Sequence, residues 1–211
     1  MRNRGAMAVA AVAMAAGTLS GCSSDGDAQA APSKTVLVPG RPGEPNRTEV
    51  AGPREPAEPT AAEVGFMQMM ITHHAQALEM SALAPDRASD PRVRSLASRI
   101  DAAQKVEIAT MRAWLKRNPK AVLKAHGRHG AHHAAMPGMA TPEQLERLRN
   151  ARGPAFDALY LNLMITHHEG ALTMVKDVLD KGTDVTVQQM ARDVQSTQLA
   201  EIGRMKDILD S

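Results

Sequence analysis

Two copies of Met-Ile-Thr-His-His, at 70–74 and 164–168, set four histidines beside methionines in a chain with few other residues suited to chemistry. The chain holds eight histidines, six of them in adjacent pairs, with 14 methionines and a single cysteine. Imidazole suits Zn, Cu, Ni and Fe, and thioether selects Cu(I), so the combination points to copper and to Cu(I) in particular. A buried imidazole left unsatisfied costs roughly 1–3 kcal/mol. A fold that keeps two such pairs must supply partners. A metal is one such partner. A hydrogen-bonding neighbour in a packed core is the other, and a methionine stripe is ordinary packing in many helices.

The spacing decides which face these residues share. Phe66, Met70, His73, Ala77 and Met80 alternate steps of four and three, which is one inward stripe of a helix. His73 lies on that seam, and His74 is turned by about 100° to its flank. Tyr160, Met164, His167, Ala171 and Met174 repeat the stripe, with His168 at the flank. The candidate metal ligands are therefore Met70, His73, His74, Met80, Met164, His167, His168 and Met174. A second tract, His126, His129, His132, His133, Met136 and Met139, lies among Gly and Ala. Short His-rich tracts suggest metal capture, here weaker and less selective; the plain alternative is a solvated connector.

Other chemistries fit poorly. Leu172 stands where a zincin motif after His168-Glu169 needs its second histidine. No Glu-x-x-His occurs, so the di-iron carboxylate pattern is absent. Neither covalent haem attachment nor the bulky aromatic lining of a haem pocket is present. The expected cofactor is a copper ion, with no haem and no nucleotide. No Ser or Cys nucleophile has a visible partner, and no enzyme activity is expected. Glu107 and Glu201 recur in the two copies, and helix-surface pairing or a hydrogen bond to a seam histidine explains them as well as catalysis does.

The elements that must position these residues are helices. Hydrophobic residues make up 43% of the chain and aromatics only 2%, so the core is aliphatic and favours helix over strand. Sliding the sequence by 94 positions superposes both histidine segments, and also Gln104, Glu107, Ile108, Met111 and Leu115 on Gln198, Glu201, Ile202, Met205 and Leu209. Gap-free matches over two helices indicate a duplicated antiparallel hairpin. One hairpin alone cannot bury its apolar face, whereas two make an all-α four-helix bundle of the ferritin-like type.

The first helix opens on the capping box Thr60-Ala61-Ala62-Glu63 and runs to about Ala84, where Pro85 stops it. The second runs from Asp90-Pro91 to about Arg117. Residues 119–140 read as a loop, and Thr141-Pro142-Glu143-Gln144 opens a short helix. The third long helix spans about Pro154 to Lys181 with Gly182 as its C-cap. Asp184 caps the fourth. The bundle domain is thus 60–211, with hairpins at 60–118 and 141–211 around the loop.

The N-terminus reads as a lipoprotein signal peptide over 1–21. Arg2 and Arg4 precede an apolar run too short to span a membrane comfortably, and Leu19-Ser20-Gly21-Cys22 resembles a lipobox. Cys22 is the expected lipidation site. Residues 22–59, rich in Pro, Gly and Ser, read as a disordered tether. Cleavage removes Arg2 and Arg4, so Lys plus Arg falls from 25 to 23 and balances the 23 acidic residues. The basic pI of the whole chain is then no argument for nucleic acid, and none is expected as a partner.

Phe66 to Met80 and Gln104 to Met111, their second copies Tyr160 to Met174 and Gln198 to Met205, and the lead-in Met136 to Gln144 together resemble domain-of-unknown-function family 305. The resemblance covers about 60–211. It implies a ferritin-like bundle, exported or lipid-anchored, some of whose relatives bind copper through Met and His and are linked to copper tolerance. Ala75-Gln76 faces Glu169-Gly170 in the second copy, so the two halves need not be equivalent.

The resulting expectation is a copper-binding protein anchored by lipid outside the cytoplasmic membrane. It buffers the ion or hands it on, with a metal-accepting protein as its expected partner. A non-metal helical interaction module and a metal-dependent enzyme are the competing readings.

Overall fold

The structure, a computed structural model, describes residues 34–38, 43–51, 58–126 and 136–211. The leader 1–21, Cys22, His129, His132 and His133 lie outside the described residues. The chain divides into two units, Met1–Glu55 and Pro56–Ser211. In the first, β1 (Lys34–Val38) pairs antiparallel with β2 (Arg47–Ala51), Lys34 opposite Ala51 and Val38 opposite Arg47. The sequence predicts no fold here. β-Branched Thr35, Val36, Val38, Thr48 and Val50 favour extended backbone, and Gly43, at φ 92°, supplies the turn.

The second unit is helical: α1 (Ala61–Ser81), α2 (Ala84–Arg87), α3 (Pro91–Arg117), α4 (Pro119–His126), α5 (Pro142–Asn150), α6 (Pro154–Lys181) and α7 (Val185–Leu209). The expected caps form: Thr60 with Glu63, Asp90 to the Arg92 N–H, Thr141 with Gln144, and Asp184 to the Val187 N–H. Two boundaries differ from expectation. α1 ends at Ser81, not Ala84, because Pro85 has no N–H to give the Ser81 carbonyl and its ring crowds that carbonyl; Pro85 instead sits in the first turn of α2. The first part of the expected loop is α4, where Pro119 occupies a first helical position and Ala121 packs into the core.

α1 packs on α3, α6 packs on α7, and α1 packs on α6. The core falls into two clusters. One joins Phe66 and Met70 of α1 to Ala171 and Met174 of α6. The other joins Ala77 and Met80 of α1 to Tyr160 and Met164 of α6. The start of each helix thus meets the later part of the other: α1 and α6 run antiparallel, and the repeat acts as a pseudo-two-fold axis between them. His73, His74, His167 and His168 fall in sequence between the residues of the two clusters, at the level where α1 and α6 cross.

A second pseudo-symmetric feature fixes the ends. Buried Glu63 of α1 accepts the backbone N–H groups of Thr183 and Asp184, at the start of α7. Its counterpart in the repeat, Asp157 of α6, accepts those of Ser89 and Asp90, at the start of α3, together with the Ser89 hydroxyl. Each first helix therefore caps the second helix of the other hairpin. Burial alone would raise the Glu63 pKa, but the N–H groups of Asp184, Thr60 and Thr183 and the Thr60 side chain hold it below the usual 4.5. Gly182, at φ −87°, is not a left-handed cap; a Cβ there would lie 3.0 Å from Glu63 Oε1, so glycine gives the carboxylate room.

Candidate metal centre

All four histidines of the repeated segments are completely buried. The seam pair meets as the stripe requires: the His73 and His167 rings lie face to face at a tilt of 35°, with centroids 3.7 Å apart. The flank pair differs from a surface flank, since a third helix covers it. His74 Nε2 lies 2.6 Å from Glu107 Oε2 of α3, and His168 Nε2 lies 2.7 Å from Glu201 Oε2 of α7. The recurring glutamates thus serve the flank histidines, not the seam ones.

The seam histidines use main-chain acceptors. His73 Nε2 donates to the Pro137 carbonyl at 3.0 Å, and His167 Nε2 donates to the His73 carbonyl at 3.0 Å. Carbonyl and carboxylate oxygens only accept, so all four Nε2 atoms carry the proton. The four Nδ1 atoms have no hydrogen-bond partner at all. Burial drives the His73 pKa down to about 4, against the Pro137 carbonyl and with the help of His74 and His168. Burial, then the neighbouring His73, His168 and His74, drives His167 well below 6.5. Both seam rings are neutral at pH 7, and their Nδ1 atoms hold lone pairs with nothing to accept.

The orphans extend further. Gln104 and Gln198, mates in the repeat and one turn before Glu107 and Glu201, are buried with both amide atoms unpartnered. Such groups are rare in native cores and call for an explanation.

The methionines divide between the clusters. Met70 and Met174 lie on one side of the histidine level, Met80 and Met164 on the other, all buried. Each side thus receives one of these four thioethers from each copy. Among the described residues, no group of three His, Cys, Asp or Glu side chains is arranged as a metal site. A ligand set here has to recruit thioethers, which the same stripes provide.

The lead-in to α5 breaks the symmetry. Residues 136–140 form a strap across the histidines, held by the bond from His73 to Pro137 and by the Gln76 amide. Gln76 donates to the Ala140 carbonyl at 2.9 Å and accepts from its N–H at 2.7 Å. Gly170, the mate of Gln76, lets the strap lie against α6, since a Cβ there would collide with the Pro137 carbonyl. Gly138, at φ 79°, is equally hemmed in, because a Cβ on it would run into the Thr166 oxygen. The strap carries half-buried Met136 and Met139. Of the tract's histidines, His126 closes α4, and His129, His132 and His133 lie outside the described residues.

Sequence reasoning missed the strap and the Glu63 and Asp157 clasps. The slide that aligned the histidines also aligns Glu63 with Asp157. A polar residue so early in both first helices was the available signal.

The chain is similar to a putative secreted DUF305 protein from Streptomyces coelicolor at 34% identity, over 71% of this chain and 92% of that one, with a TM-score of 0.61. It is similar to a DUF305 fragment from Deinococcus radiodurans at 34% identity, over 72% and 97%, with a TM-score of 0.62. CopM in a Cu(I)-bound form is 26% identical over 70% and 95%, with a TM-score of 0.57, and CopM is also solved in a Cu(II)-bound form. An uncharacterized protein, L153, of Acanthamoeba polyphaga mimivirus is 43% identical over 54 residues, a match spanning 26% of this chain and 36% of that protein. Residues 63–209, both hairpins with their strap, match the model of the Domain of unknown function (DUF305), and the chain belongs to that family.

Proposed function

We propose that this protein binds copper, preferentially Cu(I), at the level where α1 and α6 cross, and that it buffers the ion or passes it on without transforming a substrate. One observation carries the reading. Four buried imidazoles each commit Nε2–H to a fixed acceptor and leave Nδ1 unpartnered. Lone pairs buried without a donor suit a cation, and thioethers from Met70, Met80, Met164 and Met174 suit a soft one. The likeness to CopM, solved with Cu(I) and with Cu(II), supports the same direction. Met136 and Met139 of the strap are further ligands within this reading, and the histidines of the 126–133 tract are a weaker capture site.

The site lies outside the cytoplasmic membrane in this proposal, with Cys22 carrying the lipid and residues 22–59 spacing the bundle from the bilayer. Metal handling there limits entry to the cell. Loss of membrane association in a Cys22→Ala variant checks the anchor, and unchanged fractionation overturns it.

The copper reading is tested by titration with Cu(I) under reducing conditions against a chromophoric competitor. Binding tighter than micromolar is expected, weakened at least tenfold in a His73→Ala/His167→Ala double variant. Absence of such binding, or an unchanged affinity in the variant, sinks the central site.

A further inference from the structure

The copper reading gives no role to the carboxylates of Glu107 and Glu201, which meet the flank histidines. We propose that they are positioning residues: each holds its histidine as the Nε2–H tautomer and so keeps Nδ1, the atom that faces no protein partner, available as a metal donor. The proposal rests on the metal-binding reading above.

Three observations converge. Each carboxylate meets the same atom of the same histidine in its own copy, across the same 33-residue separation, at 2.6 and 2.7 Å. Both imidazoles are fully buried, and the Glu107 and Glu201 side chains are only 21% and 6% exposed, so the pairs are shielded from competing water. Both Nδ1 atoms are unpartnered. A free imidazole exchanges the proton between its nitrogens, and a carboxylate fixed on one nitrogen ends that ambiguity. It also raises the basicity of the opposite nitrogen toward a metal. A purely structural ion pair, with both nitrogens protonated, would bury an Nδ1–H donor without an acceptor in both copies, which a core avoids.

The test uses the metal-free full chain and long-range nitrogen–proton NMR of the histidine rings. His74 and His168 are expected as Nε2–H tautomers. Glu107→Leu, which keeps volume but has no acceptor, is expected to move His74 into a tautomer mixture while His168 stays fixed as internal reference. It is also expected to weaken Cu(I) binding 10- to 100-fold. Glu107→Gln, whose amide oxygen still accepts, keeps the tautomer and stays within about tenfold of the parent affinity. If Glu107→Leu loses its helical dichroism, Glu201→Leu with His168 as reporter replaces it. An Nδ1–H or doubly protonated His74 in the parent overturns the proposal, as does a tautomer indifferent to Glu107→Leu. So does a changed tautomer with unchanged affinity. If the parent itself takes up no Cu(I), the copper reading fails by itself, and the ring spectra still decide whether the carboxylates set the tautomer.

Discussion

The Nε2 of His167 donates to the main-chain carbonyl of His73, its own counterpart 94 positions earlier, at 3.0 Å. The reciprocal bond does not form. His73 turns its Nε2 to Pro137 instead. Two copies of one segment thus face each other across a pseudo-axis and are told apart by the strap, which satisfies one seam imidazole and not the other. Inequivalence of the halves follows from Gln76 and Gly170, the same repeat position used once to grip the strap and once to make way for it.

The metal-free protein is expected to lose stability in mild acid. The folded pKa values of His73 and His167 lie below 6.5, so between about 6.5 and 4 the unfolded chain binds more protons than the native one. Stability is complete above about 6.5 and declines as pH falls toward 4, by on the order of 3 kcal/mol for His73 alone. Below 4.5 the loss continues as Glu63, whose pKa is lowered, takes up its proton. Urea unfolding at pH 7.5, 6 and 5 measures the slope, and a flat profile refutes the neutral, desolvated seam.

The strap makes two glycines indispensable, while a third, on α7, is free to change. Gly170→Ala drives a Cβ into the Pro137 carbonyl, which cannot yield without moving the strap. A cost of about 1–3 kcal/mol is expected. Gly203, exposed on α7, has nothing within 4 Å of the place a Cβ would take, and Gly203→Ala should gain about 0.5–1 kcal/mol from helix propensity. Thermal melts of the two variants should move in opposite directions.

The buried pair Ser81 and Tyr160, joined at 2.9 Å between hydroxyls, has Val175 and Phe66 as its repeat mates in the other cluster. The same repeat positions thus carry an apolar pair within the other core cluster. Tyr160→Phe or Ser81→Val alone strands a buried hydroxyl and should cost about 1–3 kcal/mol, while the double variant should fall close to the parent. Strict additivity in denaturant unfolding would deny that the hydroxyls are coupled.

The stripe, the repeat and four long helices are legible in the sequence because periodicity and caps are local properties. α3 and α7 begin at their predicted caps, Asp90 and Asp184, and the His73–His167 contact follows from two seams that must face each other. Helical spacing cannot say what covers the flank of a seam, so His74 and His168 read as peripheral until α3 and α7 enclose them. Nor does it reveal bonds between segments far apart in sequence, which is why the strap and the clasps are invisible to it. The C-terminal limit of α1 falls short of the predicted one because a proline forbids a bond four residues earlier, at Ser81, and not only at its own position.

The clasps have a consequence for how such a chain is put together. Glu63 caps α7 and Asp157 caps α3, so neither hairpin completes itself; each supplies a carboxylate the other lacks. A single hairpin of this kind would find its missing half in an identical molecule. In that sense the covalent chain is a fused homodimer, and the segment between α4 and α5 is a linker joining two protomers that already recognise one another. Once joined, the two were free to diverge, and the strap is the asymmetry that fusion permits and a self-paired dimer of single hairpins would have to carry twice.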